Sequence, residues 1–217
     1  MSIRTDMAEE SFSQAGGAEK LQGVKVKNKV IENARLEVTD ITIETQEAAE
    51  KLGRPVGRYI TLTATDSTFD MYSDSFRERA EVIAKAIGEL CGGCERFLAV
   101  GLGNYALTSD AVGPLTAEKI FATRHIKSLA KEIDTDDLGE VTVIQTGVLG
   151  NTGIESSEQV KAIAERVTPQ AVIAVDALAC SELTNLGRTI QLCNTGISPG
   201  SGVENARKEL SLSTLGV

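Results

Sequence analysis

Apolar and polar residues alternate through residues 35–45, RLEVTDITIET, and again through residues 59–65, YITLTAT, with β-branched side chains at many of the positions. That is the period of a half-buried strand. The stretch between them, TQEAAEKLGRPVG, reads as a short helix stopped by Gly53 and Pro55, so the two strands are expected to pair as an antiparallel ribbon. Residues 73–90, SDSFRERAEVIAKAIGEL, put Phe76, Ala80, Ile83, Ala84 and Ile87 at helical spacing, behind a Ser/Asp start and ahead of Gly92-Gly93. A helix is predicted there.

A regular rhythm comes next: strand FLAVGLG, a helix from about residue 111 to 128, strand VTVIQT, helix SSEQVKAIAERV and strand AVIAVDALA. Strands separated by helices are the pattern of a parallel sheet covered by helices, and FLAV and AVIAV are apolar on both faces, as buried parallel strands are. RTIQLC predicts a further strand leading into the glycine-rich NTGISPGSGVENARKELS. Residues 1–23 carry charge, Gly16-Gly17 and little periodicity, so they read as a mobile or loosely docked arm that adds little to the core. Residues 24–217 read as one α/β domain: a mostly parallel sheet covered by helices, with a small antiparallel ribbon near its N-terminus.

Composition narrows the partners. The chain has 217 residues, a hydrophobic fraction of 41% that suits a real core, and 22 Lys+Arg against 31 Asp+Glu, a formal net charge of -9. No basic footprint for nucleic acid is present, and an anionic membrane would repel the chain, so a protein or small molecule is the expected partner. The start, MSIRTDMAEES, has no apolar leader, and no run approaches the roughly 18 apolar residues of a membrane span. The chain therefore reads as cytoplasmic, and its four cysteines, Cys91, Cys94, Cys180 and Cys193, predict no disulfide framework.

Candidate chemistry lies at the carboxyl ends of the expected parallel strands, where open α/β sheets bind ligands. Asp110 falls in VGLGNYALTSDAVGP just beyond FLAVGLG, with Gly101 and Gly103 permitting a tight turn, and Asp176 closes AVIAV. Two carboxylates held together cannot both ionise cheaply, so one keeps a proton while the other serves as a base, which suits hydrolysis by activated water. Asp110 is equally placed to cap the helix that comes after it. GLGN is similar to a dinucleotide fingerprint, but Ala106 stands at the third glycine. Cys91-Gly92-Gly93-Cys94 reads as a turn rather than a redox or zinc pair, and His125 is the lone histidine. The backbone N–H groups of SPGSGV suit either a cradle or an ordinary turn.

The motifs IRTDMAEES, VGLGNYALTSDAVGP with the TRH beyond it, GVLGNTGIESSE, VDALA and TIQLCNTGISPGSGVENARKELS resemble, in the same order, those of the germination protease family of spore-forming Firmicutes. The resemblance implies an atypical aspartic-type endopeptidase with a fold similar to the hydrogenase-maturation endopeptidases, catalytic aspartates at Asp110 and Asp176, and no cofactor or metal. It implies small acid-soluble spore proteins as substrates in the forespore or spore core, a homotetramer, and a zymogen that cuts itself between Asp6 and Met7. On this reading Gly200, Ser201 and Gly202 help to hold substrate. Cys180-Ser181-Glu182 stands where the family usually has Ala-Arg-Ser, Asn194 where Asp is usual, and Glu204 where Gly is common. The family continues past the position of Val217 into another apolar strand, so a C-terminal part is expected to be missing, with an unpaired edge and exposed apolar surface. Two other readings stay open: a metal-assisted maturation peptidase with the two aspartates and His125 as ligands, and a catalytically silent truncated homologue or fragment.

Overall fold

The computed structural model describes residues 5–16, 22–66, 68–129, 134–135, 137–198 and 209–217. In chain order the elements are α1 (Ala8–Gln14), β1 (Val24–Ile31), β2 (Leu36–Ile43), α2 (Gln46–Leu52), β3 (Gly57–Ala64), α3 (Phe76–Cys91), β4 (Arg96–Leu102), α4 (Val112–Lys119), α5 (Arg124–Leu129), β5 (Glu140–Gly147), α6 (Leu149–Thr152), α7 (Ser156–Val167), β6 (Ala171–Val175), β7 (Thr189–Cys193) and α8 (Leu212–Leu215). The chain divides into two compact units, Met1–Gly92 with Leu178–Thr195, and Gly93–Ala177 with Gly196–Val217.

The first unit is built on an antiparallel sheet in the order β1-β2-β3-β7. The expected ribbon is its middle pair. β1, VKVKNKVI, alternates as a strand should and adds the outer neighbour of β2. RTIQLC forms a strand but joins this sheet, antiparallel to β3, with Leu62 opposite Ile190. One face packs Ile41, Ile43 and Tyr59 against α1 and α2, and the other packs Val38, Ile60 and Leu62 against α3. α2 starts on a Thr45 side chain that accepts from the Ala48 N–H and ends on left-handed Gly53, as its sequence predicts.

Two expectations about this unit are corrected. Residues 7–14 are not a loose arm: Met7 and Ala8 are 1% and 3% exposed, and α1 joins the core around Ile41. Helix α3 exists where predicted but is rolled about its axis, with Phe76, Ala80 and Ala84 exposed and Arg79, Val82 and Ala86 turned inward. The cause is Arg79, whose buried guanidinium donates to the carbonyls of Ala34 (3.0 Å) and Thr68 (3.2 Å) and to Asp66 while lying 5.5 Å from the Phe69 ring.

The second unit is a parallel sheet in the order β5-β4-β6. β4 is central and buries Leu98, Ala99, Val100 and Leu102. Each fully buried Leu or Val contributes about 1.5–3 kcal/mol. Val160 and Ala164 of α7 complete this core with Leu210, the partner of Ile197 in a short antiparallel bridge. β6, apolar on both faces, is only half-buried along its length, because among the described residues it pairs with β4 alone. The single helix expected over residues 111–128 is two helices. Thr123 breaks it by docking on the start of β5, donating its N–H to the Val141 carbonyl (3.0 Å) while its hydroxyl accepts from the Val141 N–H (2.8 Å).

Candidate active site

Asp110 and Asp176 both belong to the second unit. β4 and β6 are neighbours in register, Gly101 opposite Val175, so Leu102 and Asp176 are level at the carboxyl ends of adjacent strands. Adjacent strands lie roughly 4.8 Å apart. The backbone folds back immediately beyond β4, because Gly103 takes φ +110°, a conformation that side-chain-bearing residues rarely adopt. A Cβ there would meet the Asp110 carbonyl oxygen at 2.2 Å and Oδ1 at 2.9 Å, so the glycine makes room for Asp110 itself.

The loop is closed by its own backbone. Asn104 donates its N–H to the Asp110 carbonyl at 3.0 Å and to Asp110 Oδ2 at 2.9 Å, while its side-chain oxygen accepts from the Ala106 N–H. Asp110 is not the cap of α4: residue Ala111 holds that place without a side-chain bond. Oδ2 of Asp110 is engaged, and Oδ1 meets no donor among the described residues. Asp176 is half-buried and accepts from the Ala177 N–H at 2.9 Å.

The device that seats both strand ends together escaped sequence reasoning. Gly113, in the first turn of α4, lies against the Leu102 and Val175 carbonyls, and the Gln145 side chain from β5 donates to the Pro114 carbonyl at 3.1 Å. Gly101 in turn faces Gly113 and Ala117. Its only sequence signal was the glycine in DAVGP. Asp110, in the loop beyond β4, and Asp176, directly after β6, thus both lie beyond the carboxyl ends of neighbouring strands.

Other expected site residues fall elsewhere. His125 is exposed on α5, next to Arg124, which pairs with Glu140 at 3.3 Å. Among the described residues no three His, Cys, Asp or Glu side chains gather as a metal-ligand set. Cys91 and Cys94 flank a turn made by left-handed Gly92 and Gly93. Gly200, Ser201 and Gly202 lie outside the described residues.

Asp6 and Met7, in the first unit, are held on both sides. The Asp6 N–H donates to the Ala179 carbonyl (2.9 Å), Gln191 Nε2 donates to the Asp6 carbonyl (3.2 Å), and the Ala8 N–H donates to Gln191 Oε1 (2.6 Å). Arg54 Nη2 donates to the Thr5 carbonyl at 2.7 Å. One turn on, buried Glu10 accepts from the N–H and hydroxyl of Ser181, the Glu182 N–H and Asn185 Nδ2. Burial alone would push its carboxyl up, but hydrogen bonds from Ser181, Thr5 and Asn185 win and hold it at about 2. Glu10 was visible in sequence only as part of the MAEES motif. The unusual Ser181 and Glu182 are its partners, and Asn194 has a structural task, accepting from the Arg58 N–H at 2.8 Å.

A family model described as germination protease matches residues 3–217. Germination proteases of Clostridium perfringens and Clostridium tetani are 38% and 39% identical to the chain, over 99% and 100% of it and 67% and 68% of their own lengths. That of Priestia megaterium is 36% identical over all of this chain and 60% of its own.

Proposed function

The chain belongs to the germination protease family, and from that premise we propose that it is an endopeptidase in which Asp110 and Asp176 activate water against a peptide bond. The observation that carries this reading is the Gly113 contact with the Leu102 and Val175 carbonyls, which anchors the two aspartate-bearing strand ends to one helix turn. The ionised carboxylate takes a proton from water as its oxygen bonds to the amide carbon. The protonated partner donates to the carbonyl oxygen to give a tetrahedral diol. As the C–N bond breaks, the proton held by the base passes to the departing amine while a diol hydroxyl returns its proton to the partner carboxylate. The pair titrates as a unit. Resemblance to the family supplies the finer terms of the proposal: a self-processing zymogen cut between Asp6 and Met7, a homotetramer, and small acid-soluble spore proteins as substrates in the spore core, with residues 200–202 holding substrate.

The test is cleavage of a peptide containing Thr-Glu-Ile-Ala by the full chain, read by mass spectrometry, beside Asp110→Asn, Asp176→Asn and a chelator control. Wild type cuts after the Glu, each variant loses at least about 10²-fold in rate, and the chelator changes nothing. Retained activity in either variant, or loss with chelator, overturns the mechanism. No cleavage by wild type overturns the peptidase reading for this chain.

A further inference from the structure

Helix α3 covers only part of the sheet in the first unit. Between its flank and strand β1 the structure leaves a cavity of about 300 Å³. Its floor is apolar and buried: Val38, Ile60 and Leu62 from β2 and β3, and Ala86 from α3. Its rim is cationic. Lys27 and Lys29 are two residues apart on β1 and therefore share a face, and Lys85 approaches from α3.

These three lysines have no carboxylate partner among the described residues. Asp40 sits directly across the ladder from Lys27, yet it is taken by Arg58, which grips it with Nε at 3.0 Å and Nη2 at 2.7 Å and reaches Glu89 at 3.0 Å. The Asp40 hydrogen bond accordingly raises the Arg58 pKa above its usual value. Four cations thus line the cavity against two carboxylates, in a chain whose formal net charge is -9. A local excess of positive charge in a chain of net negative charge favours an anion at this cavity.

We propose that this cavity binds a small organic carboxylate, with its apolar body on Val38, Ile60 and Leu62 and its head facing Lys27, Lys29 and Lys85. The volume is at the lower end of the roughly 300–1,000 Å³ of small-molecule sites, too small for a folded partner's surface. The combination of a hydrocarbon floor and an uncompensated ammonium rim selects an amphiphilic anion over a simple ion or a neutral lipid. Bound there, the ligand ties edge strand β1 to α3.

The test uses 8-anilinonaphthalene-1-sulfonate fluorescence on the full chain, with displacement by decanoate and by decanol. Decanoate displaces the dye saturably and about tenfold or more better than decanol. In the triple variant Lys27→Gln/Lys29→Gln/Lys85→Gln, whose sites are all exposed, that preference disappears while the circular dichroism spectrum is unchanged. Amide shift changes on adding decanoate centre on Ile31, Val82 and Ala86. Equal displacement by the alcohol, an unaltered preference in the variant, shift changes confined to other residues, or no saturable displacement would each overturn the proposal.

Discussion

Gly113 packs directly on the carbonyl of Val175, the residue before Asp176: a methyl group added to the glycine would lie 2.4 Å from that oxygen, and 2.1 Å from the oxygen of Leu102. Neither neighbour is the end of a flexible side chain, so Gly113→Ala must push α4 off the strand ends. The expected cost is roughly 1–3 kcal/mol in urea unfolding, with a larger relative fall in peptide cleavage than in stability. Gly88→Ala in α3 is the control. Nothing lies within 4 Å of its added methyl group, and the change is expected to stabilise by roughly 0.5–1 kcal/mol.

Glu10 gives the chain a defined acid limb. Its folded carboxyl titrates at about 2, against an ordinary 4.5, so the unfolded chain takes up the proton first as pH falls. The stability it contributes is complete above about pH 4.5 and is lost on the way down to about pH 2. Thermal unfolding of Glu10→Gln across that window is expected to show a shallower pH dependence than wild type, together with a lower Tm at neutral pH. A Tm that falls equally steeply in both proteins would remove Glu10 from the explanation.

Arg79 is a buried cation serving two carbonyls and one carboxylate, and Arg35 at 2.8 Å joins it in holding Asp66 well below the usual carboxylate range. Arg79→Leu leaves the Ala34 and Thr68 carbonyls without that donor and is expected to destabilise by roughly 3–5 kcal/mol in urea unfolding. Faster amide exchange at Phe69, whose N–H donates to the Gly187 carbonyl, would accompany the loss.

The bond between Asp6 and Met7 is clamped by Gln191 and Arg54, with Met7 buried, so the proposed self-cleavage there would require this segment to leave its seat. Gln191→Ala and Arg54→Ala should therefore shed the first six residues severalfold faster than wild type, as followed by intact-mass spectra over time. Equal rates would show that release of the segment does not limit processing.

The parallel strands and α7 were legible because fully apolar runs and helical spacing are local signals, and the positions of Asp110 beyond β4 and of Asp176 after β6 followed from those strands. What escaped was decided by distant partners. α3 is rolled toward Arg79 because carbonyls at residues 34 and 68 reward it, and no window around residue 79 contains them. α4 and α5 are parted by a strand that begins at residue 140, well beyond the break it causes. RTIQLC read as a further strand, yet nothing local records that its partner is β3. The small apolar count of α1 hid a helix held by Glu10 and Gln191 as well as by Ala8 and Phe12 in the core.

The placement of β7 sets an order of assembly. When residues 1–92 have emerged from the ribosome, β3 has paired with β2 but its other edge is bare, and Glu10 has none of its partners at residues 181–185. About a hundred further residues must be translated before either gap can close, which at typical elongation rates leaves the nascent sheet open for roughly 5–20 s. During that interval an exposed strand edge is available to other chains. The first unit thus starts first but stays open until residues 178–195 arrive, and its edge protection on the ribosome depends on how soon residues 93–177 of the second unit have been made.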